Sequence, residues 1–195
     1  INKELKKGEG WSEYLKGLIK IYKHSNFKIF GWKGIIAGNV PIGAGLSSSA
    51  ALSLALTRVF GTVSNWDWNP RQMARICQLA ENQWVGVNCG IMDQMISALG
   101  QKGNALLIDC RSLKTTPVPL PEEVRVVILD TGTRRGLVDS AYNQRRKQCE
   151  AVATFFGKES LRDVSYKQLK TSKPNIDKIQ FMRARHVIKE NERVL

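Results

Sequence analysis

Apolar positions in the first half of the chain follow a helical period in three places. Over Trp11–Tyr22 the large apolar residues recur three and four positions apart, which predicts a helix with one buried face. Ser47–Phe60 repeats this period in a run of Ala, Leu and Ser. Asn69–Pro70 is a favourable N-cap and first-turn pair, so we predict a third helix from there to about Trp84.

Extended segments are predicted between and after these helices. Phe27–Val40 is rich in Ile, Phe and Val and alternates loosely, which predicts two short strands or one bent strand. Ala105–Asp109 and Val124–Leu129 are mainly apolar and predict buried strands. A short helix over Ile91–Leu99 and a long basic helix over Leu137–Phe156 complete the pattern. Helices and strands therefore alternate, which predicts an α/β or α+β class.

Prolines mark the candidate domain boundary. A chain of 195 residues is long enough for one large domain or two small ones. Pro117, Pro119 and Pro121 interrupt the pattern within five positions, and proline is a strong local breaker of regular structure. We therefore predict that residues 1–121 and 122–195 belong to different domains.

The basic composition changes this picture little. The formal net charge is +13, and Lys and Arg concentrate in Arg134–Lys147 and Lys167–Arg193. Neither stretch has a zinc-finger spacing, a helix-turn-helix pattern or the aromatic strands of an RNA-binding domain. An anionic small substrate also favours a basic surface. We expect no nucleic-acid partner, although a domain that binds DNA through charge alone stays an alternative.

Cysteine usage and hydropathy point to an intracellular protein. The four cysteines form no CxxC pair, so we expect reduced core thiols and no zinc site. No apolar run is long enough to span a bilayer, and residues 1–10 lack the apolar stretch of a signal peptide. We therefore expect a cytoplasmic protein without a membrane partner.

The segment Pro41–Ala50 is the most informative one in the chain. Gly43 and Gly45 allow the backbone to approach a bulky anion, and the helix that follows directs free N–H groups and the positive end of its dipole to the same place. Three successive serines add hydroxyl groups for phosphate oxygens or Mg²⁺. The segment lacks the lysine of a Walker A motif, and an ordinary glycine turn with a serine cap is the alternative.

A second candidate segment carries two carboxylates. Glu81 and Asp93 lie on either side of a stretch with several amides and a glycine break. In such an arrangement one acid can hold a metal while the other accepts a proton. The spacing alone fits an exposed Glu and a helix-capping Asp equally well.

Several segments of this chain resemble motifs of one kinase superfamily. Pro41–Ala50 resembles the central ATP motif of the GHMP kinases, and Cys89–Gln94 resembles the segment with the catalytic aspartate in their galactokinase branch. The resemblance runs from Trp11 to about Val164 in the same order. Further similar segments are Gly100–Gly103, Leu106–Leu113, Tyr142 with Arg145–Glu150, and the later His186–Arg193.

The resemblance implies a fold and a reaction. The fold would be α+β with the two-lobed GHMP kinase architecture, whose first lobe is ribosomal protein S5 domain 2-like. Residues 1–121 would form part of the N-terminal lobe, and residues 122–195 the beginning of the C-terminal lobe. The reaction would be ATP-dependent and Mg²⁺-dependent phosphorylation of D-galactose at its C1 hydroxyl, giving galactose 1-phosphate and ADP in galactose metabolism.

The resemblance also implies residue roles at the phosphate end of the site. Asp93 would be the catalytic base that faces the sugar hydroxyl. Glu81 and a loop serine, Ser49 or Ser48, would hold Mg²⁺ against the phosphates of ATP. The rest of the loop would wrap those phosphates, through Pro41, Gly43, Ala44, Gly45, Leu46 and Ser47.

Roles at the adenine and sugar ends follow from the same resemblance. Trp11 and Tyr14 lie where the family stacks adenine, although their helical spacing equally predicts core packing. Gly90 and Tyr142 would help to line the sugar pocket. Arg134 corresponds to a basic position near the nucleotide, with an exposed surface arginine as the alternative.

Alternatives to a galactokinase remain open from the sequence. A kinase of arabinose or N-acetylgalactosamine would share the quoted motifs, and so would a non-catalytic regulator that binds galactose and ATP. The family's N-terminal sugar signature and C-terminal glycine-rich motif are not found among these residues. We therefore expect an internal segment with little or no turnover by itself. Separately, we expect a monomer.

Overall fold

The computed structural model describes residues 4–130, 132 and 140–194. The chain forms two compact units, Ile1–Val138 and Asp139–Leu195, called the first and second unit below. This division differs from the lobe boundary predicted at residues 121 and 122, which concerns the architecture of a family and stays a prediction. Each unit is described by itself.

The first unit is mainly helical, with one small sheet. Its two strands pair antiparallel, with Asn104 opposite Pro119 and Ile108 opposite Thr115. In chain order the elements are α1 (Ser12–His24), α2 (Ser48–Val63), α3 (Pro70–Ala80), a π-helix (Glu81–Val85), α4 (Met92–Leu99), β1 (Asn104–Ile108) and β2 (Thr115–Pro119).

The core of the first unit joins α1, α2 and α3. Leu18 and Tyr22 of α1 are fully buried against Met73 and Cys77 of α3 and the apolar side of α2. The Tyr22 hydroxyl donates to Thr57 Oγ1 at 2.6 Å, so its polar end is satisfied inside the core. The predicted helices are therefore confirmed, because their apolar faces meet each other.

A π-helix extends α3 and carries Glu81 at its first position. Its hydrogen bonds run over five residues, as from the Gly86 N–H to the Glu81 carbonyl at 2.9 Å. The turn ends at Gly86 with a φ of 96°, which favours glycine. Such turns are frequent at functional sites because they redirect side chains within a helix. The prediction of one continuous helix to Trp84 missed this change.

Gly17 lets α1 approach the end of α3 closely. A Cβ atom at this position would lie 3.1 Å from both the Ala80 carbonyl oxygen and the Trp84 Cβ. Since the first of these is a backbone atom, it cannot move aside cheaply. This close contact brings α1 against the π-helix.

Two predicted strands are wrong. Within the described range 4–130, Phe27–Val40 is irregular and Val124–Leu129 forms no strand. Val124–Leu129 is also exposed, with 85% of Leu129 accessible, so it is not the buried strand we predicted. Strand formation requires a hydrogen-bonding neighbour. The described residues provide none for either segment.

The proline-rich stretch forms a strand instead of a break. Pro117 and Pro119 lie in β2, paired with β1. A proline is tolerated on an edge strand, where its missing N–H can face away from the partner. The same edge position leaves most of β2 exposed.

The second unit is wholly helical in the residues that the structure describes. Its core contains Val152 of α5, Leu161, Leu169 of α6, and Ala184 and Ile188 of α7. Ser165 caps α6 with a capping box to Gln168. The elements are α5 (Ser140–Phe155), a 3₁₀ turn (Leu161–Asp163), α6 (Tyr166–Thr171), a second 3₁₀ turn (Lys173–Asn175) and α7 (Lys178–Val194).

The four cysteines are reduced thiols, as predicted, but they are not all in the core. Cys77 is buried, Cys89 and Cys149 are half-buried, and Cys110 is exposed. Cys110 lies in the turn between β1 and β2, where no second layer covers it. Among the described helices, none is both long and apolar enough to cross a bilayer.

Candidate functional site

Along the glycine loop, the backbone φ angle alternates between positive and negative values. Gly43, Gly45 and Ser47 have φ values of 71°, 76° and 58°, in the left-handed region. A Cβ atom at Gly45 would meet no other atom within 4 Å, so the loop borders open space there. Alternating backbone conformations of this kind turn successive N–H groups towards one concavity, which suits an anion.

Helix α2 begins directly after this loop. Ser47 is its N-cap residue but makes no side-chain capping bond. The first amides of an α-helix lack intrahelical acceptors, and the helix dipole makes this end positive. The three successive serines are half-buried at this end. The loop and the helix therefore offer N–H groups, hydroxyls and a positive dipole at one place.

Ser49 connects the loop to the buried interior. Its hydroxyl interacts with the Glu81 carboxylate and with the Tyr14 hydroxyl, and each interaction lowers the pKa of the partner. Tyr14 is 6% exposed, and burial, with the nearby Glu81 charge as the next cause, raises its pKa to about 12. Three elements thus meet at Ser49: α1, α2 and the π-helix.

Glu81 is a buried carboxylate with neutral donors around it. It is 6% exposed, and its Oε2 accepts a hydrogen bond of 2.9 Å from Gln94 Nε2. Burial raises the pKa of Glu81, and the nearby Asp93 charge adds to this, whereas the hydrogen bonds from Ser49 and Gln94 act in the opposite direction. In the described part of the chain, no Lys or Arg forms an ion pair with Glu81.

Asp93 and Cys89 complete the cluster. Asp93 lies in the first turn of α4, half-buried, and its charge acts on both Glu81 and Cys89. Cys89 is held by Asn82, whose Oδ1 accepts from the Cys89 N–H at 3.0 Å. Burial is the largest cause that raises the pKa of the Cys89 thiol to about 12. The structure therefore brings Ser49, Glu81 and Asp93 together, although up to 44 positions separate them in the chain.

The other predicted site residues lie in different settings. Trp11 is 57% exposed at the start of α1, whereas Tyr14 is buried with its hydroxyl on Ser49, so its ring is not open to a base here. Gly90 is exposed with open space where a Cβ would lie. Tyr142 is on α5 of the second unit, and Arg134 lies outside the described residues. Their predicted roles stay predictions.

Neither the contact of Gln94 with Glu81 nor the contact of the Tyr14 hydroxyl with Ser49 was predicted from the sequence. Both depend on hydrogen bonds between elements that are distant in the chain. No local signal distinguishes a buried Gln on α4 from an exposed one except the apolar residues beside it, Ile91 and Met95, which are buried.

The residues present fit a Mg²⁺ ion that arrives with phosphate groups. Glu81 is a buried carboxylate that forms no ion pair with Lys or Arg in the described residues, and the Ser49 hydroxyl interacts with it. The described residues contain no group of three His, Cys, Asp or Glu side chains that would hold a metal alone. Mg²⁺ commonly binds through one or two carboxylates plus substrate phosphates, so such a group is not required.

The phosphate-type loop, Glu81 and Asp93 all lie within a segment that matches a known family. Residues 13–101 match the GHMP kinases N terminal domain. This part of the chain is therefore similar to the N-terminal domain of the GHMP kinases. The match covers the first unit from α1 to the end of α4 and leaves the second unit outside it.

A solved structure extends the likeness to nearly the whole chain. The galactokinase of Lactococcus lactis, crystallised with galactose, superimposes with a TM-score of 0.84 at 32% sequence identity over 98% of this chain. The chain spans 51% of the length of that galactokinase. The predicted α+β GHMP kinase fold and the resemblance to galactokinases are thereby confirmed.

Proposed function

We propose that this chain supplies the phosphate and metal half of a galactokinase site, within a kinase that transfers the γ-phosphate of ATP to the C1 hydroxyl of D-galactose. The observation that carries this proposal is the cluster of Ser49, Glu81 and Asp93 beside the glycine loop. The likeness to a galactokinase crystallised with galactose supports the choice of sugar.

The chain's own residues would divide the work by position. The loop amides and the N-terminus of α2 bind the phosphates, through Ala44, Leu46, Ser47 and Ser48 as well as the two glycines. Pro41 has no N–H to donate, so it shapes the start of the loop. Ser49 and Glu81 would hold Mg²⁺, which neutralises phosphate charge when bound. Asp93 accepts the proton of the sugar hydroxyl. Phosphoryl transfer depends mainly on positioning and charge neutralisation, so this division suffices for the reaction class.

Two alternatives share these residues. A kinase for arabinose or N-acetylgalactosamine differs in the sugar pocket, for which the resemblance names Asp93, Gly90 and Tyr142. A regulator that binds galactose and ATP without transfer would keep the fold. Retention of both carboxylates and all three serines favours an enzyme over such a regulator.

The expected setting follows from the proposed substrates. We propose a cytoplasmic enzyme that acts on small molecules, with ATP and Mg²⁺ as cofactors, as a monomer. The net charge of +13 then serves anionic substrates. Binding of DNA that falls steeply with salt and ignores ATP would contradict this.

Calorimetric titration with Mg²⁺ and a non-hydrolysable ATP analogue tests the proposal. We expect the 195-residue chain to bind the analogue and Ser49→Ala to lose the metal-dependent part of the binding. Ser53→Ala, the same substitution one turn later on α2, is the matched control and should bind as the wild type does. Equal binding by the Ser49→Ala variant would contradict the proposed site.

The same titration, repeated with sugars, addresses specificity. Galactose should strengthen nucleotide binding more than arabinose or N-acetylgalactosamine. Transfer of a labelled γ-phosphate to galactose distinguishes a kinase from a regulator. From this chain alone we expect slow transfer or none, because the family's sugar signature is not among its residues. A rate typical of a complete kinase would contradict that expectation.

A further inference from the structure

The Gln94 side chain is fully buried, and of the two groups of its amide only the NH₂ group forms a hydrogen bond in the described residues. It is 1% exposed on α4, and its Nε2 donates to Glu81 Oε2 at 2.9 Å. Its Oε1 is buried without a hydrogen-bond partner in the part of the chain that the structure describes. This orientation suits an ionised Glu81, because a carboxylate accepts hydrogen bonds and does not donate them.

The fold itself does not require an amide at this position. An unpartnered buried acceptor destabilises a protein, and an apolar side chain of similar length avoids that penalty. Met95, the next residue, is an example of such a side chain and is fully buried. What distinguishes Gln94 from an apolar residue is therefore its donation to Glu81 at 2.9 Å and a longer contact of 3.7 Å with Cys89 Sγ. Of the two, the bond to Glu81 is the shorter.

This hydrogen bond links the two elements that carry the carboxylates. Glu81 begins the π-helix, and Gln94 follows Asp93 in the first turns of α4. Ser49 approaches the same carboxylate from α2. The hydrogen bond from Gln94 on α4, together with the interaction with Ser49 on α2, restricts the rotation of the Glu81 carboxylate. Partners of a metal ligand that restrict it in this way commonly tune metal affinity.

We propose that Gln94 is a positioning residue, which orients the Glu81 carboxylate for the divalent cation that accompanies the nucleotide. The proposal rests on the proposed function, since it needs a metal at Glu81. In the proposed site, Gln94 contacts neither the phosphates nor the sugar. Its substitution should therefore change the affinity for the cation and leave the metal-free nucleotide affinity unchanged.

Mn²⁺ serves as the probe, because its binding can be followed by electron paramagnetic resonance. The chain is titrated with Mn²⁺ at saturating non-hydrolysable ATP analogue, and the analogue's affinity is measured separately without metal. For Gln94→Met we expect a loss of Mn²⁺ affinity of about tenfold or more. The metal-free affinity should stay within about twofold. Met95→Leu, an apolar change at an equally buried neighbour, should alter neither value.

The Mn²⁺ titration separates failure of the positioning role from failure of the metal site. A wild-type chain that binds Mn²⁺ with the analogue, together with an equal Mn²⁺ affinity of Gln94→Met, overturns the positioning role and leaves the proposed function standing. Equal losses with and without metal also overturn it, because they indicate a general structural effect. A wild-type chain that binds no Mn²⁺ with the analogue overturns the metal site and this role together. If Gln94→Met fails to fold, Gln94→Asn, which withdraws the same amide, must give the loss.

Discussion

Two glutamates of the first unit are almost equally buried but differ in their partners. Glu13 on α1 is 3% exposed, and its carboxylate accepts from Lys16 Nζ at 2.6 Å and from Trp84 Nε1 at 2.9 Å. The hydrogen bond from Lys16 is the largest cause that lowers the pKa of Glu13. Glu81 is 6% exposed among neutral donors, and burial raises its pKa.

The difference separates a structural carboxylate from a candidate ligand. A buried carboxylate is stable when a cation and hydrogen bonds satisfy it. For Glu13 the fold supplies both, through Lys16 and Trp84. For Glu81 the described residues supply hydrogen bonds only. A cation that arrives with a ligand would complete the second site, as the proposed function requires.

Removing the charge of Glu81 should give the largest effect. In Glu81→Gln we expect the metal-dependent affinity for an ATP analogue to fall by about 100-fold, since a ligand should matter at least as much as its outer partners. The thermal midpoint should not fall, because the buried charge has no cation here. Calorimetry and thermal unfolding measure both quantities. Glu13→Gln is the matched control, and similar binding losses in the two variants would erase the distinction.

Removing Glu13 should instead affect the fold. For Glu13→Ala we expect the free energy of unfolding to fall by roughly 2–3 kcal/mol, below the range for a fully buried pair because Lys16 is 29% exposed. The nucleotide affinity of the folded protein should stay within about twofold. Denaturant unfolding measures the first value. An unchanged stability would show that the pair with Lys16 has no structural role.

Substitution of Gly17 tests the contact between α1, which carries Glu13, and the π-helix, which carries Glu81. In Gly17→Ala the new Cβ would meet the Ala80 carbonyl oxygen and Trp84 at 3.1 Å. We expect a loss of about 1–2 kcal/mol in the free energy of unfolding, as in other overpacked contacts. Gly38→Ala is the control, since a Cβ at Gly38 meets nothing within 4 Å. Equal stability of the two variants would contradict the close contact.

The smallest expected effect is the dependence of stability on pH through Glu13. Its folded pKa lies below the usual 4.5, so the unfolded chain binds more protons as the pH falls. The stabilisation is therefore complete above that value and is lost as the pH falls through the folded pKa. The stability difference between wild type and Glu13→Gln should shrink between about pH 6 and pH 3. A stability difference that grows as the pH falls would contradict the lowered pKa of Glu13.

The helices could be predicted from the sequence because their signals are local. The period of Trp11–Tyr22 and the Asn69–Pro70 pair both correspond to observed helices. The strands were harder, since pairing depends on distant residues. Val124–Leu129 has a strand composition but no neighbouring strand in the described range, whereas Pro117 and Pro119 join β2 against their local preference.

The candidate site was likewise predicted only in part from the sequence. The glycine loop and the two carboxylates were apparent in the sequence, and the resemblance to the GHMP kinases assigned them roles. The hydrogen bonds of Glu81 to Ser49 and Gln94 join residues 32 and 13 positions apart. No spacing rule predicts these contacts, because they result from the packing of α2, the π-helix and α4. The burial of Tyr14 on Ser49 has the same origin.

A crystal structure of the chain with Mn²⁺ and a non-hydrolysable ATP analogue would show whether Glu81 binds the metal. Anomalous scattering locates Mn²⁺ independently of the nucleotide. We predict one Mn²⁺ ion within coordination distance of the Glu81 carboxylate and the Ser49 hydroxyl, with phosphate oxygens completing its shell. An analogue bound at the glycine loop with its Mn²⁺ away from Glu81 would contradict the claim that this buried carboxylate is a metal ligand.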